Sequence, residues 1–189
     1  LNSAVPERGS VASMVRRLVG TSSGKCRVMK VRPGRRAVSP RTGATTTGTV
    51  SVLKLADLSA QEVPVGLHPS GLALGPDETL LAVANGHSDT VTLVDTTRLT
   101  TAEVKIPTWP DSTLGSQPIG VAFAPDGKTL YVACGGNNAI AVLTPTGRQW
   151  KVAGAVPTGW FPSAIGVDSE GALRIVNIKG VGSTADKKG

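Results

Sequence analysis

The feature that most constrains the fold is an internal repeat that aligns without a gap. Residues 69–95 read PSGLALGPDETLLAVANGHSDTVTLVD, and residues 118–144, 49 positions later, read PIGVAFAPDGKTLYVACGGNNAIAVLT. A third copy starts at Pro162, 44 residues after Pro118, and residues 49–55 (TVSVLKL) match the second half of a copy. A period of about 45 residues is typical of architectures in which each copy is one small folded unit.

Each copy has the pattern of short β-strands separated by polar turns. Ile119, Val121 and Phe123 alternate with small residues. This alternation places the larger side chains on one face of a strand and lets a neighbouring sheet approach closely on the other. In the turn PDG at 125–127, the proline presets the backbone, the aspartate bonds its own backbone, and the glycine accepts a positive φ.

The pattern predicts strands throughout residues 49–177 and no long helix. We expect a first unit with strands at roughly residues 49–55, 60–65, 70–75 and 79–85, then strands at 90–95, 101–106, 118–124, 129–134, 139–144, 150–156, 163–168 and 172–177. Four short strands per unit predict an all-β, partial β-propeller of about three four-stranded blades. A β-sandwich is the alternative, but it does not require the same turn at a regular interval.

The basic charge of the chain is confined to its first quarter. Residues 1–48 contain ten Lys or Arg and one acid, Glu7, whereas residues 49–189 contain ten Lys or Arg and twelve Asp or Glu. Little hydrophobic periodicity occurs in residues 1–48, which predicts a basic, low-structure and mostly disordered leader before the repeats at 49–189. Clustered arginines can bind nucleic acid, but the leader has no aromatic residue on which a base could stack, so nucleic acid is not the expected partner.

One stretch of the second full copy resembles a known repeat family. Residues 126–133 (DGKTLYVA) resemble the core of the YVTN-type β-propeller repeat, whose family includes the YncE-like and surface-layer propellers. Cys134 stands where that repeat usually has asparagine, and the preceding copy keeps Asn85. The resemblance implies a β-propeller fold.

A narrower resemblance concerns three further stretches. Residues 66–71 (GLHPSG), 157–162 (PTGWFP) and 177–183 (NIKGVGS, with Ile178 in place of a glycine) resemble the propeller half of bacterial proteins that join a YncE-like propeller to an alkaline-phosphatase-like phosphoesterase. In such fusions the metal-binding catalytic domain is separate, and no position of this chain matches its ligands or its nucleophile. The resemblance implies a periplasmic or extracellular protein, although the opening residues show no signal-peptide core, so the compartment stays unknown.

Four side chains are candidates for contacts with a ligand or partner. Trp109 lies in the long loop 107–117, and Trp160 and Phe161 precede the first strand of the third copy. By the resemblance to the fusion proteins, Lys179 would attract an anion at a domain junction. The alternatives are packing of a loop between blades for the aromatic residues and a solvated side chain for Lys179.

No catalytic site, metal site or cofactor is expected. His87, Ser88 and Asp89 are adjacent in sequence, and adjacent residues on one short loop cannot form the nucleophile, base and orienting group of a triad. We expect His68 to bond the backbone at the start of a unit, and Cys134 to be a small buried thiol rather than a reactive one. No apolar run reaches the length of a membrane span.

The sequence therefore predicts a non-catalytic binding module for an unidentified protein or small molecule. The alternative is the propeller portion of an alkaline-phosphatase-like phosphoesterase that lacks its catalytic domain. Closed propellers typically have about four to eight blades, so about three blades leave strand edges open. We expect a fragment, a truncated product, or a protomer that self-associates through its open edges.

Overall fold

The computed structural model describes residues 46–108 and 115–180, together with the backbone of residues 15–16 and 27–32. These residues form strands and turns, and none of them lies in a helix that could span a membrane. The strands are β1 (Val15–Arg16), β2 (Arg27–Arg32), β3 (Gly48–Lys54), β4 (Ala60–Val65), β5 (Pro69–Leu74), β6 (Leu80–Asn85), β7 (Thr90–Asp95), β8 (Thr101–Lys105), β9 (Pro118–Phe123), β10 (Leu130–Cys134), β11 (Ala139–Thr146), β12 (Gln149–Pro157), β13 (Pro162–Val167) and β14 (Leu173–Asn177).

The strands form four antiparallel sheets in chain order, which we call the first to fourth blades. β1–β4 form the first blade, β5–β8 the second, β9–β12 the third, and β13–β14 the fourth. Consecutive strands are neighbours in every blade, as in the blades of a propeller. Three four-stranded sheets and one two-stranded sheet confirm the prediction of an all-β, partial β-propeller with about three four-stranded blades.

The strand positions predicted from residue 49 onward are confirmed within a few residues, but their grouping is wrong. The predicted first unit joined β3 and β4 to β5 and β6, whereas β4 ends the first blade and β5 begins the second. Each complete repeat copy instead begins its own blade, at Pro69 or Pro118. Alternation marks a strand but does not reveal which neighbour it pairs with.

Two short strands lie inside the segment interpreted as a leader. β2 pairs with β3 over its whole length, with Arg27 opposite Lys54 at one end, and β1 adds a short pairing to β2. The interpretation of residues 1–48 as low in structure is therefore amended at residues 27–32. The edge of β3 supplies hydrogen-bond partners that are distant in sequence, so local patterning could not reveal them. The limit between leader and repeats stays a prediction.

The hydrophobic core lies between the faces of neighbouring blades. Alternate side chains of β6 face opposite ways, as strand geometry requires. Leu81 and Val83 pack in one cluster with Val50 of the first blade, while Ala82 and Ala84 belong to a second cluster that includes residues of the third blade. Both faces of the second blade are therefore buried.

The first strand of one blade lies directly against the first strand of the next. A Cβ atom added at Gly71 would lie 2.4 Å from Ile119 O, and one added at Gly120 would lie 2.8 Å from Ser163 O. Ser70 Oγ also donates a hydrogen bond to Ile119 O, at 3.1 Å. The backbones of β5, β9 and β13 thus approach closely, which confirms the role expected for the small residues on this face.

Candidate functional site

One end of the blades brings together two loops from every repeat copy. The blade-start loop is formed by the four residues that end at the proline opening the first strand, namely residues 66–69, 115–118 and 159–162. The turn after the second strand, which we call the 2–3 turn, comprises residues 86–89 and 135–138 in the second and third blades. In the fourth blade the residues at this place, after β14, are 178–180. Antiparallel pairing makes the first strand begin where the second strand ends, so Pro69 lies opposite Asn85. We call this end of the molecule the blade-start face.

Two backbone hydrogen bonds join the blade-start loop to the 2–3 turn in every copy. In the second blade, Gly86 N donates to His68 O at 3.0 Å and His87 N donates to Leu67 O at 3.1 Å. The equivalent bonds run from Gly135 N to Gln117 O (3.0 Å), Gly136 N to Ser116 O (3.1 Å), Ile178 N to Phe161 O (3.1 Å) and Lys179 N to Trp160 O (3.1 Å). The same backbone arrangement therefore carries a different set of side chains in each of the three copies.

The residue before the proline has a left-handed backbone in all three copies. The φ angle is 56° at His68, 47° at Gln117 and 59° at Phe161. A left-handed conformation costs a non-glycine residue about 1–2 kcal/mol of conformational free energy. A residue before proline also ordinarily prefers an extended conformation. The paired hydrogen bonds to the blade-start loop hold these residues in place despite that cost.

In the second and third blades, a side chain of the 2–3 turn joins the blade to the next. Asp89 Oδ1 accepts a hydrogen bond from Gln117 N at 2.9 Å, and Asn138 Oδ1 accepts one from Phe161 N at 2.8 Å. Aspartate and asparagine differ in charge but share the accepting oxygen at this position. The contact therefore depends on an accepting oxygen at this position and not on a negative charge. It fixes the backbone of two of the three left-handed residues.

The polar residues that resemble a triad are used by the fold. Asp89 Oδ1 also accepts from Ser116 Oγ at 3.1 Å, and Ser88 Oγ accepts from Leu67 N at 3.1 Å. These contacts agree with the prediction that His87, Ser88 and Asp89 form a turn rather than a triad. In the described ranges, no group of three or more His, Cys, Asp or Glu side chains could hold a metal ion.

Two copies place a pair of side chains in contact on the blade-start face. The rings of His68 and His87 stack with centroids 4.2 Å apart and planes 12° apart. At the equivalent positions of the fourth blade, Lys179 Nζ lies 5.3 Å from the centroid of the Phe161 ring. The copy between them has Gln117 in place of the ring. The face therefore displays chemically different pairs on the same backbone positions.

The His68 side chain is favoured in its neutral form. Partial burial lowers the pKa of His68, and the neighbouring His87 lowers it further. The carbonyl of His68 accepts from Gly86 N, as the carbonyls of Gln117 and Phe161 accept in their copies, so this bond does not depend on the imidazole ring. Sequence reasoning did not identify the stack, although aligning the residues before the three prolines shows His68, Gln117 and Phe161 as equivalent.

The structure brings together three of the four predicted contact residues. Trp160 is 46% exposed and is followed by Phe161, whose ring lies under the exposed Lys179. The Phe161 ring also rests on Gly135, where an added Cβ would lie 3.1 Å from Phe161 Cζ. Trp109 lies outside the described residues. Binding of a ligand or partner by these residues stays a prediction.

Cys134 replaces an asparagine as part of a matched set of three residues. Asn85 is buried, and its Nδ2 donates to Thr90 Oγ1 at 3.1 Å and to Thr92 Oγ1 at 2.8 Å. The equivalent residues of the third blade are the buried, apolar set Cys134, Ala139 and Ala141. Cys134 is buried, as predicted, and burial raises the pKa of its thiol to about 12, which disfavours the reactive thiolate.

Comparisons with known proteins agree with this geometry. A family model described as YNCE-like beta-propeller matches residues 36–180. No curated protein matches the chain significantly. Among solved structures, the hydrazine synthase of Kuenenia stuttgartiensis is 32% identical with a TM-score of 0.60, and the match covers 77% of this chain and 42% of that one.

Two gluconolactonases are also similar in structure. The periplasmic gluconolactonase of Pseudomonas aeruginosa is 19% identical with a TM-score of 0.59, over 77% of this chain and 46% of that one. The gluconolactonase of Xanthomonas campestris is 22% identical with a TM-score of 0.56, over 85% of this chain and 58% of that one. At these identities the matches show the fold alone, and in each case this chain spans less than two thirds of the matched structure. Because the family model covers everything from β3 to β14, the chain belongs to the YNCE-like β-propeller family.

Proposed function

We propose that this propeller is a non-catalytic binding module that contacts its ligand or partner through Trp160, Phe161 and Lys179. The main support is the exposed indole of Trp160 beside the Phe161–Lys179 pair. Tryptophan is enriched among the residues that dominate binding energy, and a lysine ammonium attracts an anionic group. The expected ligand therefore presents an aromatic or apolar surface next to an anion.

The backbone under these side chains favours binding because several hydrogen bonds hold it. Trp160 N donates to Gly180 O at 2.8 Å, Lys179 N donates to Trp160 O at 3.1 Å, and Asn138 Oδ1 accepts from Phe161 N at 2.8 Å. A surface whose backbone is already ordered loses less conformational entropy when it binds.

Acidic side chains at both ends of the blades favour binding over catalysis, because the fold already uses them. Asp77 Oδ1 accepts from Thr79 N at 3.1 Å, and Asp126 Oδ1 accepts from Lys128 N at 2.8 Å, so both carboxylates stabilise turns. Asp89 holds the next blade-start loop, and the buried Cys134 thiol remains protonated at neutral pH.

The alternative is that the chain is the propeller portion of an alkaline-phosphatase-like phosphoesterase. The stretches that resemble such fusions, residues 66–71 and 157–162, include two complete blade-start loops. Under this alternative, the blade-start face would contact a catalytic domain rather than a separate ligand.

A binding measurement with an aromatic anion tests the proposal. We expect 2-naphthoate to change the tryptophan fluorescence of the chain, and neutral 2-naphthalenemethanol to bind more weakly. Trp160→Ala should weaken 2-naphthoate binding about tenfold or more, and Lys179→Gln should remove the preference for the anion. Trp150→Phe is the matched control, because Trp150 packs edge-to-face with Phe123 at the other end of its blade.

Unchanged binding of 2-naphthoate by the Trp160→Ala variant would contradict the proposed site.

Activity is tested separately with p-nitrophenyl phosphate in the presence of Zn²⁺ or Mg²⁺, and with gluconolactone because of the structural neighbours. Turnover of any of these by the purified chain would contradict a non-catalytic function.

A further inference from the structure

The fold brings the two histidines of the chain into contact. His68 and His87 are 19 positions apart in sequence. Their rings nevertheless stack, with centroids 4.2 Å apart and planes 12° apart. This spacing is far longer than the interval of about three to five residues that separates paired histidines in many zinc motifs. Only the contact between the blade-start loop and the 2–3 turn of the second blade places the two imidazoles together.

Main-chain hydrogen bonds fix the backbone under both rings. Gly86 N donates to His68 O at 3.0 Å, and His87 N donates to Leu67 O at 3.1 Å. Leu67 N in turn donates to Ser88 Oγ at 3.1 Å. The two histidines are therefore already positioned, and little backbone entropy is lost when both side chains bind the same ligand.

Both imidazoles are accessible to a ligand from solution. His68 and His87 are exposed, unlike most other residues of the second blade near them, such as Gly86 and Asn85. Burial of part of the His68 ring lowers its pKa, and the neighbouring His87 lowers it further. The neutral form of His68 is thus favoured at neutral pH, and neutral imidazole is the form that binds metal ions.

The other polar side chains of the same turn are held by the fold. Asp89 Oδ1 accepts from Gln117 N at 2.9 Å and from Ser116 Oγ at 3.1 Å. Ser88 Oγ lies 2.9 Å from Thr90 Oγ1 in a hydrogen bond. An ion at the two histidines would therefore have two protein ligands. Its remaining coordination positions would hold water or a donor group from another molecule.

A small opening of the stack lets both rings bind one ion. An imidazole nitrogen binds zinc at about 2.0–2.1 Å in the plane of its ring, so two rings on one ion have inclined planes and centroids about 5 Å apart. The centroids are now 4.2 Å apart and the planes nearly parallel. Exposed side chains change rotamer within nanoseconds, so the rings can turn while the backbone hydrogen bonds under them stay in place.

We propose that His68 and His87 together bind one divalent transition-metal ion through their two imidazoles. Imidazole suits Cu²⁺, Ni²⁺ and Zn²⁺, and Cu²⁺ should bind most tightly of the three, whereas Mg²⁺ and Ca²⁺ prefer oxygen ligands. The second imidazole binds an ion that the first already holds, so the pair binds far more tightly than either ring alone. This site lies in the second blade and goes beyond the binding function proposed for Trp160 and Lys179.

A proton NMR titration with Zn²⁺ tests whether the two histidines bind the same ion. The chain has two histidines, so its imidazole C–H signals come from His68 and His87 alone. The Cys26→Ser variant is used because a thiol would compete for zinc, whereas Cys134 is buried. We expect Zn²⁺ to shift both signals together, with saturation at about one ion per chain, and Mg²⁺ to shift neither. A shift of one histidine alone, saturation at two ions per chain, or no shift overturns the proposal.

Single substitutions test whether the two rings act as a pair. His68→Gln and His87→Lys introduce the residues that the sister copies carry at these positions, Gln117 and Lys179, so the backbone should tolerate them. Each should weaken Cu²⁺ binding about tenfold or more in calorimetry, and the double variant should lose it. Two independent sites would behave differently, because each single variant would keep its affinity and bind half as many ions. That result overturns the proposal.

Asp89→Asn is the matched control for a carboxylate ligand. Asn138 occupies the equivalent position in the third blade and makes the same contact, so the variant removes a nearby charge and keeps the turn. Its Cu²⁺ affinity should equal that of the unsubstituted chain within about twofold. A loss of tenfold or more would mean that Asp89 rather than the pair of rings holds the ion, which overturns the two-imidazole site.

Pulsed EPR of the Cu²⁺ complex counts the imidazoles directly. We expect two coupled imidazoles in the Cys26→Ser chain and one after His68→Gln is added. One imidazole in both proteins overturns the proposal. None of these readouts involves Trp160, Lys179 or 2-naphthoate, so the metal site and the proposed binding function stand or fall separately.

Discussion

The cysteine at position 134 shows how one residue of a repeat depends on two others. Taken alone, Cys134 is an unexplained departure from Asn85, and the sequence analysis left it so. Comparison of the second blade with the third explains it, because Thr90 and Thr92, which contact Asn85, are also replaced, by Ala139 and Ala141. An asparagine without the hydroxyls would be a buried amide lacking acceptors, which costs more than a small thiol among alanines.

The burial of Cys134 predicts a loss of stability at alkaline pH. The pKa of its thiol rises from an ordinary 9.0 to about 12 because the folded protein keeps it away from water. Above pH 9 the unfolded chain releases this proton while the folded chain retains it. The free energy of unfolding should therefore fall, by up to about 1.4 kcal/mol per pH unit between about pH 9 and 12.

Urea unfolding at a series of pH values measures this loss. Cys134→Ala is the control, because the variant lacks the thiol and should show a smaller slope over the same range. Equal slopes for the two proteins would show that the Cys134 thiol does not contribute.

The stability of the protein should depend on the accepting oxygen of Asp89 and not on its charge. Asn138 makes the same contact in the next copy with a neutral amide, so Asp89→Asn should change the free energy of unfolding by less than about 0.5 kcal/mol. Asp89→Ala leaves Gln117 N without this acceptor and should cost about 1–3 kcal/mol. Thermal unfolding of the two variants compares them directly, and equal losses would mean that charge rather than geometry matters.

Among the elements, the first strand of a blade needs glycine where it contacts the first strand of the next blade. A Cβ at Gly71 would lie 2.4 Å from Ile119 O, a backbone atom that cannot move without shifting β9. Gly71→Ala should therefore destabilise the protein by about 1–3 kcal/mol or more. Gly166→Ala is the matched control on β13, because no atom lies within 4 Å of its added Cβ.

Thermal or urea unfolding of these two glycine variants checks the prediction. We expect a clear decrease for Gly71→Ala and a change within about 0.5 kcal/mol for Gly166→Ala. An equal change in the free energy of unfolding for the two variants would mean that β5 can move away from β9 at little cost.

Strands and turns could be predicted from sequence, but their partners could not. Gly127 has the positive φ expected of it, and Asp126 bonds the turn backbone as expected. In the third copy, however, Asp168 rather than the aligned Glu170 accepts from the turn, because both Glu170 N and Ala172 N donate to it. Local patterning reports local backbone geometry, whereas blade limits and the pairing of β2 depend on contacts between distant residues.

The candidate site was predicted only in part, for a related reason. Trp160, Phe161 and Lys179 were singled out as aromatic or charged residues near a copy boundary, and the structure places them together. The stack of His68 on His87 was not predicted. It depends on a left-handed conformation before proline, which sequence rules disfavour and which only the surrounding hydrogen bonds maintain.

For the molecule as a whole, the burial pattern predicts a gradient of local stability. The middle strands of the second and third blades are almost fully buried, whereas β14 alternates between half-buried and exposed residues. In hydrogen exchange at low protein concentration, amides of β6, β7 and β10 should exchange slowest, and those of β14 should exchange much faster. Uniform protection across the blades would contradict this gradient.

The left-handed residues before the three prolines have a consequence for how such a face can diversify. Histidine, glutamine and phenylalanine differ in polarity, charge and shape, yet the backbone holds each of them in the same conformation. Main-chain bonds from the 2–3 turn hold all three, so the scaffold does not depend on which side chain is present. These positions can therefore change identity one blade at a time, and a single architecture can acquire new recognition properties while its stability stays nearly constant.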